Sequence, residues 1–118
     1  MPHADYKVAS HEELPEMLRA KFDLTDENTF RHKSTGAPVK TFPGNAEGHQ
    51  YLRVYHAGKC KALAVHRAIW MHVTGVPIPP DFEIHHRDED NQNNAWENLL
   101  CVHRLDHQKI HYQTEVPF

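Results

Sequence analysis

The sequence of 118 residues predicts a single α+β domain, and three observations lead to that prediction. Apolar residues recur at helical spacing near the N-terminus. A stretch with period-two alternation, QYLRVYHAGKCKALAV, follows in the middle of the chain. The last third has the order strand, long polar loop, strand, helix. A chain of this length can bury a modest core without disulfides.

The first helix is predicted over about residues 11–22. Ser10 followed by Glu13 forms a capping-box pattern, and apolar residues then recur at helical spacing at Leu14, Met17, Leu18 and Phe22. From Asp23 to Gly48 the chain is rich in Thr, Asn, Gly and Pro, so we predict one short extended segment near Thr29–His32 and otherwise loop.

A β-hairpin of roughly 50–56 and 59–65 is predicted on either side of Ala57-Gly58. The pattern of HRAIWMHVTG then becomes helical, and Gly75 before Pro77 is a plausible end for that helix. DFEIHH and NLLCVH read as two strands, and RDEDNQNNAWE between them is predicted to be a loop. RLDHQKIHYQ has the composition of a helix.

The net charge of −3 conceals an uneven distribution, since residues 31–67 contain seven Lys or Arg and one acid, Glu47. Such a segment can supply a phosphate-facing patch, although the charges alone fit a solvated hairpin face equally well. The basic residues that we expect to bind nucleic acid are Arg53, Lys59, Lys61 and Arg67.

Several classes of protein do not fit the sequence. The longest apolar runs are far below the roughly 18 residues of a membrane-spanning helix, and the N-terminus has no apolar signal region, so we expect a cytoplasmic protein without membrane association. Cys60 and Cys101 form no Cys-x-x-Cys motif and are expected to be reduced thiols. Asp88 and Asp90 match the start of a calcium-binding loop, but the rest of that pattern fails, and turn hydrogen bonds explain them better.

Histidines carry the chemistry of the C-terminal third. His107 and His111 are four residues apart and would project from one face of a helix as a chelating pair. Adjacent residues of a strand point to opposite faces, so only one of His85 and His86 can join that pair, and the other is free to act as a base. Three imidazoles leave a coordination position open, as in catalytic metal sites. An amide at Asn98 could orient the base across the loop.

These residues resemble the motif of the HNH nuclease family. The His-His pair, Asn98, His107 and His111 are similar to the pattern of DNase colicins, with a shorter loop. LPEMLRAKFDL and GHQYLRVYHAGKCKALAVHRAIWMHVTGVPIP resemble the lead-in of phage-type HNH endonucleases. The resemblance implies a ββα-metal (His-Me finger) nuclease core over 81–114, supported by an N-terminal helix and β-hairpin within 10–80.

The resemblance also implies roles for individual residues. His86 would be the general base and Asn98 its orienter, while the ligands of one divalent metal ion would be His85, His107 and possibly His111. The expected ion is Mg²⁺, Mn²⁺, Ni²⁺ or Zn²⁺, and the expected partner is DNA. Relatives usually have Asp where this chain has His85, and imidazole favours softer ions than carboxylate does.

Two other functions fit the same residues: a non-catalytic, metal-stabilised DNA-binding module, and a nuclease acting on RNA or branched DNA. A homodimer is also left open. The endonuclease interpretation depends on one spatial expectation, that the imidazoles of His85, His107 and His111 meet at one ion while the ring of His86 faces the place of a phosphate. A His86 ring packed away from solvent would count against it.

Overall fold

The computed structural model describes residues 12–44, 48–56 and 58–105. Within these ranges, two helices combine with three small antiparallel sheets, in agreement with the predicted α+β class. The described helices have 8 and 10 residues, and none is long and apolar enough to cross a membrane.

Helix α1 spans Leu14–Lys21 and buries one face, with Leu14, Met17 and Leu18 in the core. Pro15 lies in the first turn, where a missing N–H costs little. Glu13 is the N-cap residue, so α1 begins at Leu14 and not near residue 11 as predicted. The predicted capping box stays a prediction, because it also needs Ser10. Ser10 lies outside the described residues.

The segment after α1 contains three short strands where the sequence predicted one extended segment. Strand β1 spans Phe22–Leu24 and pairs with β2, Phe30–His32, while β3, Thr41–Pro43, pairs with a later strand. The β1–β2 turn is closed by the hydroxyls of Thr25 and Thr29, 2.7 Å apart. Three-residue strands are too short to show alternation, and they can be recognised only from the strands with which they pair.

Strands β4, Gln50–His56, and β5, Lys59–Ala64, form the predicted hairpin and share a three-stranded sheet with β3. Gly58 has φ +78° in the turn, a conformation that glycine adopts without strain. Leu52 and Val54 face the core from β4, and Leu63 lies opposite Leu52 on β5.

Helix α2 spans Val65–Thr74 and ends, as predicted, at Gly75, whose φ is +75° and whose N–H donates to the carbonyl of Met71. The guanidinium of Arg19 on α1 donates to the carbonyls of His72 and Val73 at 2.7 and 2.9 Å. These bonds satisfy carbonyls left without a partner at a helix end and join the two helices.

Strands β6, Phe82–His86, and β7, Leu99–His103, form the third sheet as predicted, with His86 opposite Leu99 and His85 opposite Leu100. A 3-10 turn, Trp96–Asn98, ends the loop between them. Arg104 and Leu105 begin the predicted C-terminal helix, and the rest of that prediction lies outside the described residues.

One hydrophobic core contains residues from both helices and from every described strand except β3. The long loop between β6 and β7 contributes none. The core contains Leu14, Met17, Leu18, Phe22, Phe30, Leu52, Val54, Leu63, Val65, Ala68, Ile69, Met71, Ile78, Ile84 and Leu99. Because Ile84 and Leu99 belong to this core, it fixes the position of the β6–β7 sheet against α2.

Candidate active site

The end of β6 places two histidines on opposite faces of its sheet, as the sequence predicted. His86 shares a face with Ile84, which belongs to the core, and His85 points to the other side. Both side chains are nearly enclosed, with 4% of His85 and 5% of His86 exposed. The expected open position of the His86 ring is therefore not what the structure shows.

The ring of His86 lies in a cluster of three imidazoles. Its centroid is 4.8 Å from that of His66, at the start of α2, and 5.8 Å from that of His49, just before β4. His49 and His66 stack with centroids 4.9 Å apart. Both of these residues are half-buried, so the pocket around His86 is polar and lies close below the surface.

Neither His49 nor His66 was singled out from the sequence. The three rings come from the ends of three separate elements, and no spacing along the chain predicts that they meet. The signal that could have found His66 is the Val-His-Arg sequence within the stretch that resembles phage-type HNH proteins.

The hydrogen-bond partner of His86 is Asn94, whose Oδ1 lies 2.8 Å from Nε2 of the ring. Asn94 belongs to the loop between β6 and β7 and is half-buried. The sequence predicted that Asn98 would orient this ring, and it did not single out Asn94 among the four asparagines of the loop.

Asn98 instead organises the loop itself. Its Nδ2 donates to Asp88 Oδ1 at 2.9 Å and to the carbonyl of Asn93 at 2.8 Å, and its Oδ1 accepts the N–H of Asp88 at 3.1 Å. The N–H of Arg87 donates to the carbonyl of Asn98 at 2.8 Å. The side chain therefore closes the loop across its mouth, as predicted, but its hydrogen bonds go to the loop.

Asp88 is the second centre of this loop. Its Oδ2 accepts a hydrogen bond from Asn93 and its Oδ1 accepts the N–H of Asp90. Hydrogen bonds from Asn93, Asp90 and Asn98, in that order, lower the pKa of Asp88 to about 2. The acidic pair Asp88 and Asp90 thus supports turns, as the sequence predicted.

A second contact ties the loop to the β-hairpin sheet: Gln92 Nε2 donates to the carbonyl of Gly48 at 2.7 Å. Gly48 precedes His49, and Asn94 lies two residues after Gln92. The bond therefore joins the two chain segments that carry neighbours of His86.

The predicted metal ligands fall only partly within the described residues. His85 lies on β6, and His107 and His111 lie outside the described ranges. No three His, Cys, Asp or Glu side chains among the described residues are arranged to hold a metal ion. His85 is a nearly buried imidazole on the face of β6 opposite His86, and imidazole is a common metal ligand.

The structure does not bring the four predicted nucleic-acid-binding residues to one face. Arg53 is paired with Ala62, and Lys61 is paired with the buried Val54, so Arg53 and Lys61 project from opposite faces of the hairpin. Lys59 lies at the start of β5, where its backbone pairs with that of His56.

Arg67 lies on α2 and is half-buried near the β6–β7 sheet. Burial lowers the pKa of its guanidinium, and the neighbouring Cys101, Glu83 and Tyr51 oppose that shift. The Arg67 guanidinium is therefore partly shielded from solvent, with Glu83 close enough to interact with it electrostatically.

A basic groove of about 840 Å³ lies beside Arg53, lined by parts of α1, β2, β3 and β4. The cations along it are Lys21, Lys33, Lys40 and Arg53, and no Asp or Glu is among the described residues that line it. The guanidinium of Arg53 lies 4.7 Å from the ring centroid of Phe42, and Tyr55 is exposed at the edge. Lys33 is also 3.8 Å from Asp23 in an exposed ion pair, which contributes little to stability.

Comparison with known proteins finds similarity over the segment that carries the site. Residues 63–109, which include α2, the β6–β7 sheet and the loop, match the model of the family described as HNH endonuclease. The intron-associated endonuclease 3 of Enterobacteria phage RB3 is 41% identical over 51 residues, in a match that covers 39% of this chain and 19% of that protein.

A solved structure titled "DNA binding and cleavage by the HNH homing endonuclease I-HmuI" matches with a TM-score of 0.63 and 18% sequence identity. The match covers 83% of this chain and 56% of the other. This chain therefore spans about a fifth of the phage relative and little more than half of the structural one.

Residues 63–109 match the HNH endonuclease family model, in agreement with the resemblance found in their sequence. The fold, with two described helices and small antiparallel sheets, is similar to that of an HNH homing endonuclease.

Proposed function

We propose that this protein is a metal-dependent HNH endonuclease that hydrolyses phosphodiester bonds of DNA, with His86 as the general base. The observation that carries the proposal is the polar pocket of His86. Its ring is hydrogen-bonded to Asn94 and contacts two further imidazoles, at the end of a strand inside the segment that matches the family.

The reaction follows from the chemistry of a neutral imidazole. His86 accepts a proton from water as the water oxygen forms a bond to phosphorus, and the bond from phosphorus to the 3′ oxygen breaks on the opposite side. The 3′ oxygen takes up a proton, which leaves a 3′-hydroxyl and a 5′-phosphate. His49 and His66 keep the surroundings of the base polar, although little of it is exposed.

The proposed ligands of the divalent ion are His85, His107 and His111. When bound, the ion would stabilise negative charge on the phosphate and on the departing oxygen. The imidazole ligands favour Ni²⁺ or Zn²⁺ over Mg²⁺.

A plasmid assay tests the proposal. Supercoiled DNA is incubated with the protein and Mg²⁺, Mn²⁺, Ni²⁺ or Zn²⁺ separately, and we expect nicking with at least one ion. His86→Ala should lower the rate roughly 10²- to 10⁴-fold, since general bases contribute about that much. His103→Ala, which changes a histidine at the other end of the same sheet, is the control and should retain cleavage.

Full cleavage by His86→Ala would refute the role of the base. If no ion supports cleavage and chelation unfolds the protein, it is a metal-stabilised DNA-binding module. Faster cleavage of RNA or branched DNA than of plasmid would correct the substrate class. Linear product formed without a nicked intermediate would indicate that two protomers act together.

We also propose that the basic groove binds the DNA backbone. Its four cations and lack of described acidic lining residues fit a chain of phosphates, and the nearby Tyr55 and Phe42 offer aromatic surface. Affinity should fall steeply with salt, with a log–log slope that becomes shallower by about 0.9 for each phosphate contact removed.

Arg53→Ala and Lys40→Ala should each show this change in slope in fluorescence anisotropy titrations. Arg31→Ala removes an equal charge from β2, outside the lining of the groove, and should leave the slope unchanged. Equal slopes for all three variants would contradict the proposed binding surface.

A further inference from the structure

We propose that Asn94 is the positioning residue of His86: it holds the neutral ring in the tautomer with hydrogen on Nε2, so that Nδ1 carries the lone pair that accepts the proton from water. The assignment of a catalytic consequence rests on the proposed nuclease function. The hydrogen bond and the tautomer can be measured without it.

The contact between Asn94 and His86 has a defined donor and acceptor. Asn94 Oδ1 lies 2.8 Å from His86 Nε2, within the normal range for a hydrogen bond. An amide oxygen only accepts, so the ring nitrogen must donate, and in a neutral imidazole the other nitrogen then has no hydrogen. Asn94 therefore determines which of the two nitrogens can act as a base.

Two neighbouring imidazoles limit the orientation of the His86 ring. Its face contacts the His66 ring with centroids 4.8 Å apart and an interplanar angle of 42°, and the His49 ring lies 5.8 Å away. Only 5% of the residue is exposed. Packing against these rings limits rotation, and the bond to Asn94 selects one of the remaining orientations.

Asn98 acts on the His86 ring through Asn94, because its own described hydrogen bonds do not reach that ring. Asn98 Nδ2 donates to the carbonyl of Asn93 at 2.8 Å, and Asn93 Oδ1 accepts the N–H of Ala95 at 3.4 Å. These bonds fix the backbone on both sides of Asn94. Asn98 thus positions Asn94, and Asn94 positions His86.

Nitrogen-15 NMR of imidazoles tests the tautomer directly. Spectra are recorded at pH 7.5 on the folded protein with Mg²⁺, and the His86 signals are identified by their loss in His86→Ala. We expect wild type to show hydrogen on Nε2 only. Asn94→Leu removes the acceptor at similar size and should give a mixture of tautomers, while Asn94→Asp keeps an acceptor oxygen and should retain the Nε2–H form.

A His86 ring with hydrogen on Nδ1 in wild type, or an unchanged tautomer in Asn94→Leu, would overturn the proposal. Thermal melting checks that each variant is folded. If Asn94→Leu does not fold, Asn94→Ala takes its place, with the same expected mixture of tautomers.

Kinetics separate positioning from a structural role. Asn94→Leu should lower kcat roughly 10- to 100-fold, comparable with losses of orienting partners at other sites, with KM changed less than about two-fold. Asn94→Asp should recover part of kcat. Glu97→Gln, an exposed substitution on the same loop, should match wild type in tautomer and in kcat.

Wild-type kcat in Asn94→Leu would refute the catalytic consequence. A wild-type protein that cleaves nothing would refute the proposed nuclease function, and the NMR result would still decide whether Asn94 sets the tautomer.

Discussion

Helix α2 and the loop of residues 87–98 lie side by side, but different interactions hold them in place. α2 buries Val65, Ala68, Ile69 and Met71 in the hydrophobic core. The loop contributes no buried apolar side chain to that core. Its described hydrogen bonds link Asp88, Asp90, Asn93 and Asn98 with one another, and others run from Asn94 to His86 and from Gln92 to Gly48.

The difference separates stability from positioning. Apolar burial is non-directional and scales with area, so α2 determines whether the domain folds. Hydrogen bonds are directional and each contributes only about 1 kcal/mol net, so the loop determines where Asn94 points at small cost in stability. Mutations in the two regions should therefore give different phenotypes.

The largest effect is expected from truncation of the core under α2. Ile69→Ala should lower the free energy of unfolding by about 2–5 kcal/mol, because Ile69 is fully buried and the lost atoms leave a cavity. Urea denaturation measures the change. Val76→Ala, at a residue 48% exposed, is the matched control and should stay within about 0.5 kcal/mol of wild type. Similar losses for both would show that the core assignment is wrong.

Asn98→Ala should lower cleavage strongly and the free energy of unfolding only slightly. It removes the bonds to Asp88 and Asn93, so cleavage should fall roughly 10- to 100-fold while the free energy of unfolding falls by about 1 kcal/mol per bond or less. Asn98→Asp keeps the acceptor oxygen but loses the donor and adds charge beside Asp88, so it should not restore cleavage. Full activity in either variant would contradict the role of the loop.

Two glycine substitutions test how closely Arg19 of α1 packs against the end of α2. Gly75 and Gly36 both have positive φ, but an added Cβ at Gly75 would lie 2.8 Å from Arg19 Nη1, whereas nothing lies within 4 Å at Gly36. Gly36→Ala should cost about 1 kcal/mol from backbone strain alone, and Gly75→Ala more, about 1–3 kcal/mol in total. Thermal unfolding compares the two, and equal losses would mean that Arg19 moves aside freely.

The smallest effect is expected from protonation of Asp88 in the loop at low pH. The pKa of Asp88 is lowered to about 2, so its ionised form is favoured by folding and its contribution is complete above the ordinary value of about 4. That contribution is lost as the pH falls through about 2. Side-chain amide signals of Asn93 and Asn98 should shift with a midpoint near pH 2, and a midpoint near 4 would show that the bonds to Asp88 do not form in solution.

Much of the fold could be predicted where local signals are strong. The hairpin alternates around Ala57-Gly58, α2 ends at Gly75, and the Asn-rich stretch between two apolar runs marks the loop. The strands β1 and β3 were not predicted, because three residues carry no periodicity and their pairing partners are remote. The start of α1 lies at Leu14 and not near residue 11, because a sequence pattern fixes the end of a helix only to within a few residues.

The sequence by itself determined which groups are available: adjacent histidines at the end of a strand, amides in the loop after it, and a basic middle segment. Only the tertiary structure decided that Asn94 reaches His86, that His49 and His66 pack beside it, and that Arg53 and Lys61 face opposite ways. The physical reason is that hydrogen bonds and ring contacts depend on ångström-scale placement of separate elements, which the shared core sets and local patterns do not encode.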